Sequence, residues 1–344
     1  MKVLGIETSC DECAAAVVED GQIVLSNIVH SQIPFHAAYN GVVPEIAGRK
    51  HIEWIQAVVK EAVEKAGCGL DGIEGVAASF RPGLLGSLLV GLSFAKAFAW
   101  ARKLPFIAVD HMLAHLYASS LDSNCPDARN PVPQYPFLGL LVSGGHSFIC
   151  RADDFDDITV LGATIDDAVG EAFDKVSKHY GFGYPGGAVI DKLAKSGNSS
   201  AFNFPLPNIK SKNVCDFSYS GLKTAVIHQL EQFRVIKETA DADIAASFQK
   251  TAVEILVRGL FKAVELTGIK TIAAGGGVAA NSLLRIRLAE RPGLECIFPP
   301  MEFCGDNGAM IAGIAYQYLA RGETSPLSIA ASARVKGLKR KHKE

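Results

Sequence analysis

The chain lays out the same local pattern twice, and this repeat constrains its fold more than any other feature. An apolar strand at residues 3–7 runs into the polar turn Thr8-Ser9-Cys10-Asp11 and returns as a second apolar strand. The Asp20-Gly21 turn then opens a third strand at residues 23–29. Midway along, the apolar run 137–142 meets Ser143-Gly144-Gly145-His146-Ser147, returns through 148–150 and is followed by another strand at 159–161. Helical patterns follow both: 44–66 and 84–101 after the first, 167–180 and 244–267 after the second. Sheets of this kind need helices to cover their apolar faces. The pattern therefore predicts an α/β fold of two related lobes with a ligand cleft between them. The expected division is residues 1–122 for the first lobe, completed by a C-terminal helix at 307–325, and 123–306 for the second. Residues 331–344 form a basic C-terminal tail. The stretch 122–135, rich in Asn, Asp and Pro, reads as the linker, and the polar, aperiodic stretch 202–217 as a mobile loop.

At 344 residues the chain is long enough for two domains, and 49% hydrophobic content supplies material for both cores. A net charge of −2 argues against a generally basic nucleic-acid binder. The charge is uneven, however. Residues 334–344 hold six Lys or Arg and one Glu, net +5, which leaves −7 for the rest of the chain. Action on a nucleic acid would call for a local basic patch, this tail or a partner. The first apolar run ends at Glu7, too early for a signal peptide, and the stretch 84–95 is too short to span a bilayer. The eight cysteines are scattered, as in a cytoplasmic protein with reduced thiols, and Cys10 with Cys13 is a single CxxC without a second pair.

The motif with most chemistry is His111 and His115, four residues apart. On a helix they share a face and can reach one metal ion. They could equally be two histidines of an amphipathic helix. Met112 stands where a zinc protease of the HExxH type has its general base. Asp306 would add a carboxylate and leave coordination positions open, as catalytic metals require, although Asp is also a favoured helix N-cap. Leu141-Val142-Ser143-Gly144-Gly145 ends a strand so that backbone N–H groups could face a phosphate, or it is an ordinary hairpin turn. Asp174 and Asp191 flank the turn Tyr184-Pro185-Gly186-Gly187 and could bind ribose hydroxyls or an ammonium. Nearby Glu171 and Lys175 read as an i,i+4 ion pair on a solvated face. The strand 272–274 feeds Gly275-Gly276-Gly277 and then Asn281, which could cap a helix or touch a ligand. Asp11 could orient a reacting amine or simply form its turn.

In this order the motifs closely resemble the TsaD family of tRNA adenosine threonylcarbamoyltransferases, once labelled O-sialoglycoprotein endopeptidases. The resemblance covers about residues 1–325 and rests on Gly5-Ile6-Glu7-Thr8-Ser9-Cys10-Asp11, Gly41-Val42-Val43-Pro44-Glu45, the His111/His115 segment, 141–146, 166–175, 184–187, 216–225, 275–281 and Asp306-Asn307. It implies an actin-like ATPase (ASKHA) fold. It also implies transfer of threonylcarbamoyl from threonylcarbamoyl-adenylate to N6 of adenosine 37 in tRNAs reading ANN codons. Metal ligands map onto His111, His115 and Asp306, holding one divalent ion, Fe2+ in preference to Zn2+. Donor contacts, or those of ATP or AMP, map onto Leu141, Val142, Ser143, Gly144, Gly145, Asp174, Gly187, Asp191 and Asn281. Asp11 matches the suspected catalytic carboxylate. Implied partners are tRNA, an inactive TsaB-like paralogue forming a heterodimer and a TsaE-like ATPase subunit, in the cytoplasm and away from membranes. The sequence departs from the family pattern at Arg81 (usually Gly), Asp110 (usually Asn), Leu113-Ala114 (usually Glu-Gly), and Gly305 and Gly308 (usually Thr and Ala). Competing readings are a metallopeptidase, a small-molecule kinase of the same fold and a non-catalytic nucleotide-binding subunit.

Overall fold

A computed structural model describes all residues except 40, 124–130, 210, 212, 235–240, 336–338 and 341–344. The centre of the expected linker and half of the basic tail thus lie outside the described residues. The chain divides into two compact units: Met1–Val132 with Pro299–Gly337, and Pro133–Phe298 with Leu338–Glu344.

The first unit holds a six-stranded sheet in the order β5-β4-β1-β2-β3-β6. Its strands are β1 (Lys2–Glu7), β2 (Glu12–Glu19), β3 (Ile23–Ser31), β4 (Gly75–Arg81), β5 (Phe106–Asp110) and β6 (Asp122–Ser123). β1, β2 and β3 form an antiparallel meander, while β4 runs parallel to β1 and β5 parallel to β4. After β3 come the single turn α1 (Ile33–His36) and α2 (Pro44–Ala66); α3 (Leu85–Arg102) joins β4 to β5. On one face of the sheet Leu4, Ile6, Ala15 and Val17 pack with Val58, Val59 and Val63 of α2 and Leu92, Ala95 and Ala99 of α3. The period of these residues is 2 in the strands and near 3.6 in the helices, as burial of one face demands. α4 (His111–Tyr117) follows β5 directly, and α10 (Gly308–Ala320) packs on β1, β2, β4 and α4. That packing depends on Gly5 and Gly308: a Cβ on Gly5 would overlap the backbone of α10, and one on Gly308 the backbone of β2.

The second unit repeats the topology, with the sheet order β11-β10-β7-β8-β9-β12. β7 (Phe137–Val142), β8 (Ser147–Ala152) and β9 (Ile158–Ala163) form the meander, with β10 (Thr271–Gly275) parallel to β7, β11 (Glu295–Ile297) parallel to β10, and β12 (Lys339–Arg340) parallel to β9. Its helices are α5 (Val169–Tyr180), α6 (Gly186–Ala194), α7 (Ser220–Arg234), α8 (Asp241–Thr267) and α9 (Ser282–Ala289). The coarse repeat in the sequence is thus a repeat of strand order and direction.

One expectation fails. The stretch 202–217 is not loose at its C-terminal end: Cys215 and Phe217 are buried, Phe217 bridges to Thr164, and Asp216 Oδ1 accepts from the Ala163 amide at 2.9 Å. Aromatic burial holds it where hydrophobic periodicity is absent. The described cysteines are free thiols, and no helix among the described residues is long and apolar enough to cross a membrane.

Candidate functional site

Both histidines lie on α4. Asp110 caps this helix, its Oδ1 accepting from the Met112 amide at 3.0 Å. The rings stand edge to face with centroids 4.5 Å apart. Asp306 comes to them from just before α10. His115 Nε2 lies 3.1 Å from Asp306 Oδ1, and His111 Nε2 lies 3.6 Å from the same oxygen. The cap of α10 is not Asp306 but Asn307, whose Oδ1 accepts from Met310 N at 3.0 Å, so Asp306 is released from capping and faces the imidazoles. One nitrogen from each histidine and one oxygen of Asp306 all lie within 4.8 Å of one another, a set that can hold a divalent ion. Nitrogen and oxygen donors of this kind suit iron and zinc alike.

Glu7, the last residue of β1, is the residue behind His111. It is fully buried and its Oε2 lies 2.9 Å from His111 Nδ1, with Ser9 Oγ at 3.1 Å from the same nitrogen. A carboxylate on Nδ1 fixes the tautomer and presents Nε2 to a metal. Burial by itself lowers the affinity of His111 for a proton, but the carboxylates of Glu7 and Asp306 outweigh it and hold the ring up to about 9. His115 is pushed down, by burial first and then by the charge of His111, against the pull of Asp306. Its Nδ1 is buried without a hydrogen-bond partner among the described residues. A signal for Glu7 was present in the sequence: an acidic residue closing an otherwise apolar, buried strand.

Asp11 is half-buried, and burial raises its carboxyl, helped by Asp306 and opposed by a hydrogen bond from Cys10. It is therefore a better proton acceptor than a solvated aspartate. Its neighbour Glu12 opens β2 and carries no motif signal. One oxygen accepts from Ser31 Oγ at 2.8 Å, while Oε2 is buried without a partner among the described residues. Burial pushes this carboxyl up to about 8, with smaller contributions from Asp11 and Asp306.

The remaining candidates lie in the second unit, on β7 and the turn after it, on α5 and α6, and at the start of α9. Its glycines fall into two kinds. Gly170, Gly186 and Gly276 are needed for packing, since a Cβ there would strike the backbone of Ser143, Phe173 and Val142 respectively. Gly144, Gly145, Gly187 and Gly277 are different: a Cβ on any of them would meet nothing within 4 Å. Glycines that internal packing does not require leave room for a ligand to approach the backbone. The expectation that all the amides of 143–145 face a phosphate needs correction at Ser143. Its N–H donates to the His146 carbonyl at 2.8 Å, as in a tight hairpin turn. The two exposed glycine amides remain. Leu141 and Val142 are buried in β7 and hold this turn from below. Asp174 Oδ1 accepts from Gly186 N at 2.7 Å and so ties α5 to the start of α6. Asp191 Oδ1 accepts from Ser282 N at 3.0 Å, Ser282 Oγ at 2.7 Å and Gln249 Nε2 at 3.0 Å, joining α6 to α9 and α8. Asn281 caps α9, its Oδ1 accepting from Leu284 N at 3.0 Å. For Asn281 the capping alternative thus holds, while Asp174 and Asp191 use these oxygens to join elements. Lys175 pairs with Glu171 at 2.7 Å and with Asp167 at 3.0 Å, so the simple helix-face pair is part of a larger group.

A sequence model of the TsaD family, described as tRNA N6-adenosine threonylcarbamoyltransferase, matches residues 23–313. The chain belongs to the TsaD family. It is 62% identical over 347 residues to a tRNA N6-adenosine threonylcarbamoyltransferase of Treponema denticola, with both chains fully covered. It is 53% identical to that of Treponema pallidum (strain Nichols), covering 97% of this chain and 94% of the relative. Among solved structures, component A of (R)-2-hydroxyglutaryl-CoA dehydratase from Acidaminococcus fermentans superposes with a TM-score of 0.55 at 15% identity, covering 93% of this chain and 99% of that one. Full-length HypF gives 0.58 at 15% identity, covering 94% of this chain and 47% of its own. At such low identity these two show the fold alone, which is the actin-like ATPase fold. Within the family pattern, two of the departures meet: Arg81 Nε donates to Asp110 Oδ2 at 2.9 Å.

Proposed function

We propose that this chain is a tRNA N6-adenosine threonylcarbamoyltransferase, an acyltransferase that moves threonylcarbamoyl from threonylcarbamoyl-adenylate to N6 of adenosine 37 in tRNAs reading ANN codons. The observation that carries the reading is full-length identity of 62% to a relative of that name, in a chain whose His111, His115 and Asp306 converge. In the reaction the adenine N6 forms a bond to the carbamoyl carbon. The anhydride C–O bond breaks, AMP leaves, and the amine loses a proton.

An adenine amine is a poor nucleophile because its lone pair is delocalised, so the donor has to be activated. A divalent ion at the histidine pair, Fe2+ in preference to Zn2+, would supply Lewis-acid stabilisation of negative charge developing on the donor's oxygens. His111, oriented by Glu7, and His115 with Asp306 would hold that ion. Asp11 would take or position the proton of the attacking amine, helped by its raised affinity for protons. In the second unit, the amides of Gly144 and Gly145 and the open face at Gly187 would receive the phosphate and adenosine parts of the donor. Asp174, Asp191 and Asn281 would shape this site by holding the helix starts around it. A TsaB-like paralogue as heterodimer partner and a TsaE-like ATPase fit a body whose net charge is negative outside the tail, since tRNA docking then calls for help. The cytoplasm is the matching compartment. The peptidase reading is not favoured, because Met112 occupies the place of the HExxH glutamate.

The test is threonylcarbamoyl transfer from synthetic threonylcarbamoyl-adenylate to unmodified tRNA, with partners supplied and His111→Ala beside the wild type. Transfer by the wild type alone supports both reaction and metal site. Full transfer by the variant at normal metal content would remove the metal from the scheme.

A further inference from the structure

β4 ends at Arg81, β5 ends at Asp110, and α4 begins at the next residue, His111. The ladder between β4 and β5 slips between Ser79 and Arg81, so that Arg81, and not Phe80, comes opposite Asp110. A bulge of this kind re-aims a side chain at a strand end. Here it delivers the guanidinium to a carboxylate whose side chain is only 8% exposed, while Arg81 itself is 25% exposed and lies over the Phe80 ring at 4.8 Å. The carboxylate is engaged at both ends: Oδ2 accepts from Arg81 Nε at 2.9 Å and Oδ1 from Met112 N at 3.0 Å.

We propose that Arg81 is a positioning residue for the metal centre: it holds Asp110, and Asp110 sets the first turn of the helix that carries both histidines. α4 has 7 residues, too few to keep a direction by its own hydrogen bonds. Its orientation comes from its cap and its packing. Without Arg81, Asp110 becomes a buried charge with one remaining hydrogen bond, a state relieved by turning the carboxylate or shifting the turn that starts at His111. Either movement displaces His111 Nε2 relative to Asp306, and ligand geometry of this kind governs metal affinity.

The inference rests on the metal-site reading, and the test separates the two. Full-length wild type, His111→Ala, Arg81→Gln, Arg81→Lys and Arg81→Gln/Asp110→Asn are compared. Zn2+ affinity is measured by competition with a chromophoric chelator, Co2+ absorption reports site geometry, and Tm is taken on the metal-free forms. Arg81→Gln is expected to weaken Zn2+ binding about tenfold or more and to alter the Co2+ spectrum, with a small change in Tm. Arg81→Lys is expected to recover part of the loss. The double variant should bind better than Arg81→Gln, because the unpaired charge is gone while the Asn Oδ1 still caps Met112. Wild-type affinity and spectrum in Arg81→Gln would overturn the inference. So would a loss matched by a large fall in Tm with no recovery in the other two variants, which would mean a merely structural role. Equal Zn2+ binding by wild type and His111→Ala would instead overturn the metal-site reading itself.

Discussion

His111 is the residue on which most of the site's electrostatics turn. Glu7 and Asp306 hold its proton affinity up to about 9 against burial, so in the metal-free protein the ring is protonated at neutral pH. A metal has to displace that proton. Metal affinity should therefore rise by about tenfold per pH unit from pH 6 toward pH 9 and then level off, as titrations with Zn2+ at several pH values will show. Stability of the metal-free form carries the opposite sign. The folded-state value lies above the ordinary histidine value of 6.5, so this contribution is fully present below pH 6.5 and is lost as pH rises through about 9. Glu7→Gln removes the stronger carboxylate partner. It should lower metal affinity by about 10–100-fold and shift the His111 titration down, which histidine NMR would follow. Glu12 provides a separate check. Burial raises its carboxyl from the ordinary 4.5 to about 8, so this group's contribution is fully present below pH 4.5 and is lost as pH rises through about 8. Glu12→Gln should raise Tm relative to wild type most at pH 9, less at pH 6, and leave it nearly unchanged at pH 4; a lower Tm at pH 9 would contradict the assignment. His111 and His115 were legible as a pair because their spacing is local. Glu7 showed only as an acid closing an apolar strand, since its partner lies 104 residues away, and Glu12 not at all, since its role depends on burial that no period reports.

At the scale of elements, α10 decides whether the site exists. It brings Asp306 to α4, and its fit against β1 and β2 rests on two glycines whose missing side chains admit backbone to backbone. Gly308→Ala should cost about 1–3 kcal/mol or more, since the added methyl meets backbone and not a movable side chain. Urea unfolding of the metal-free protein measures this, and metal affinity should fall with it as Asp306 shifts. A neutral Gly308→Ala would mean that α10 can slide without loss. Asn307 against Asp306 illustrates how caps escape sequence reading. Both are good capping residues, adjacent in sequence. The choice falls to Asn307 because helix packing sets the start of α10 at Gly308. The glycines of the second unit were visible as clusters, yet which of them serve packing and which leave open space follows only from what lies opposite each.

For the molecule as a whole, the first unit is assembled from Met1–Val132 and Pro299–Gly337, and the second from Pro133–Phe298 with Leu338–Glu344. A chain ending at residue 298 therefore lacks α10 and Asp306 and exposes the face of β1 at Gly5. It should lose metal binding by at least about hundredfold. Hydrogen exchange should show protection lost in β1, β2 and α4 but kept in β7, β8 and α8. Retained protection across the first unit would show that α10 is dispensable for its fold. The repeat of strand order was readable beforehand, since each meander announces itself through apolar runs and tight polar turns. β4, β5 and α6 were not named from the sequence, being short runs whose identity depends on neighbours.

The α/β class, the doubled layout, the long helices, the shared helix face of His111 and His115 and the family are legible in the order of residues alone. All of these follow from local periodicity or from ordered motifs. Folding of the whole chain is what turns Asp306 to the imidazoles while Asn307 caps, sets Glu7 behind His111, closes a hairpin at Ser143 and brings Arg81 to Asp110 through a bulge. The physical reason is that hydrophobic period dictates which face a residue occupies but not what that face meets. Partners distant along the chain are chosen by strand register and close packing, and a slip of one residue, as at Arg81, changes the partner.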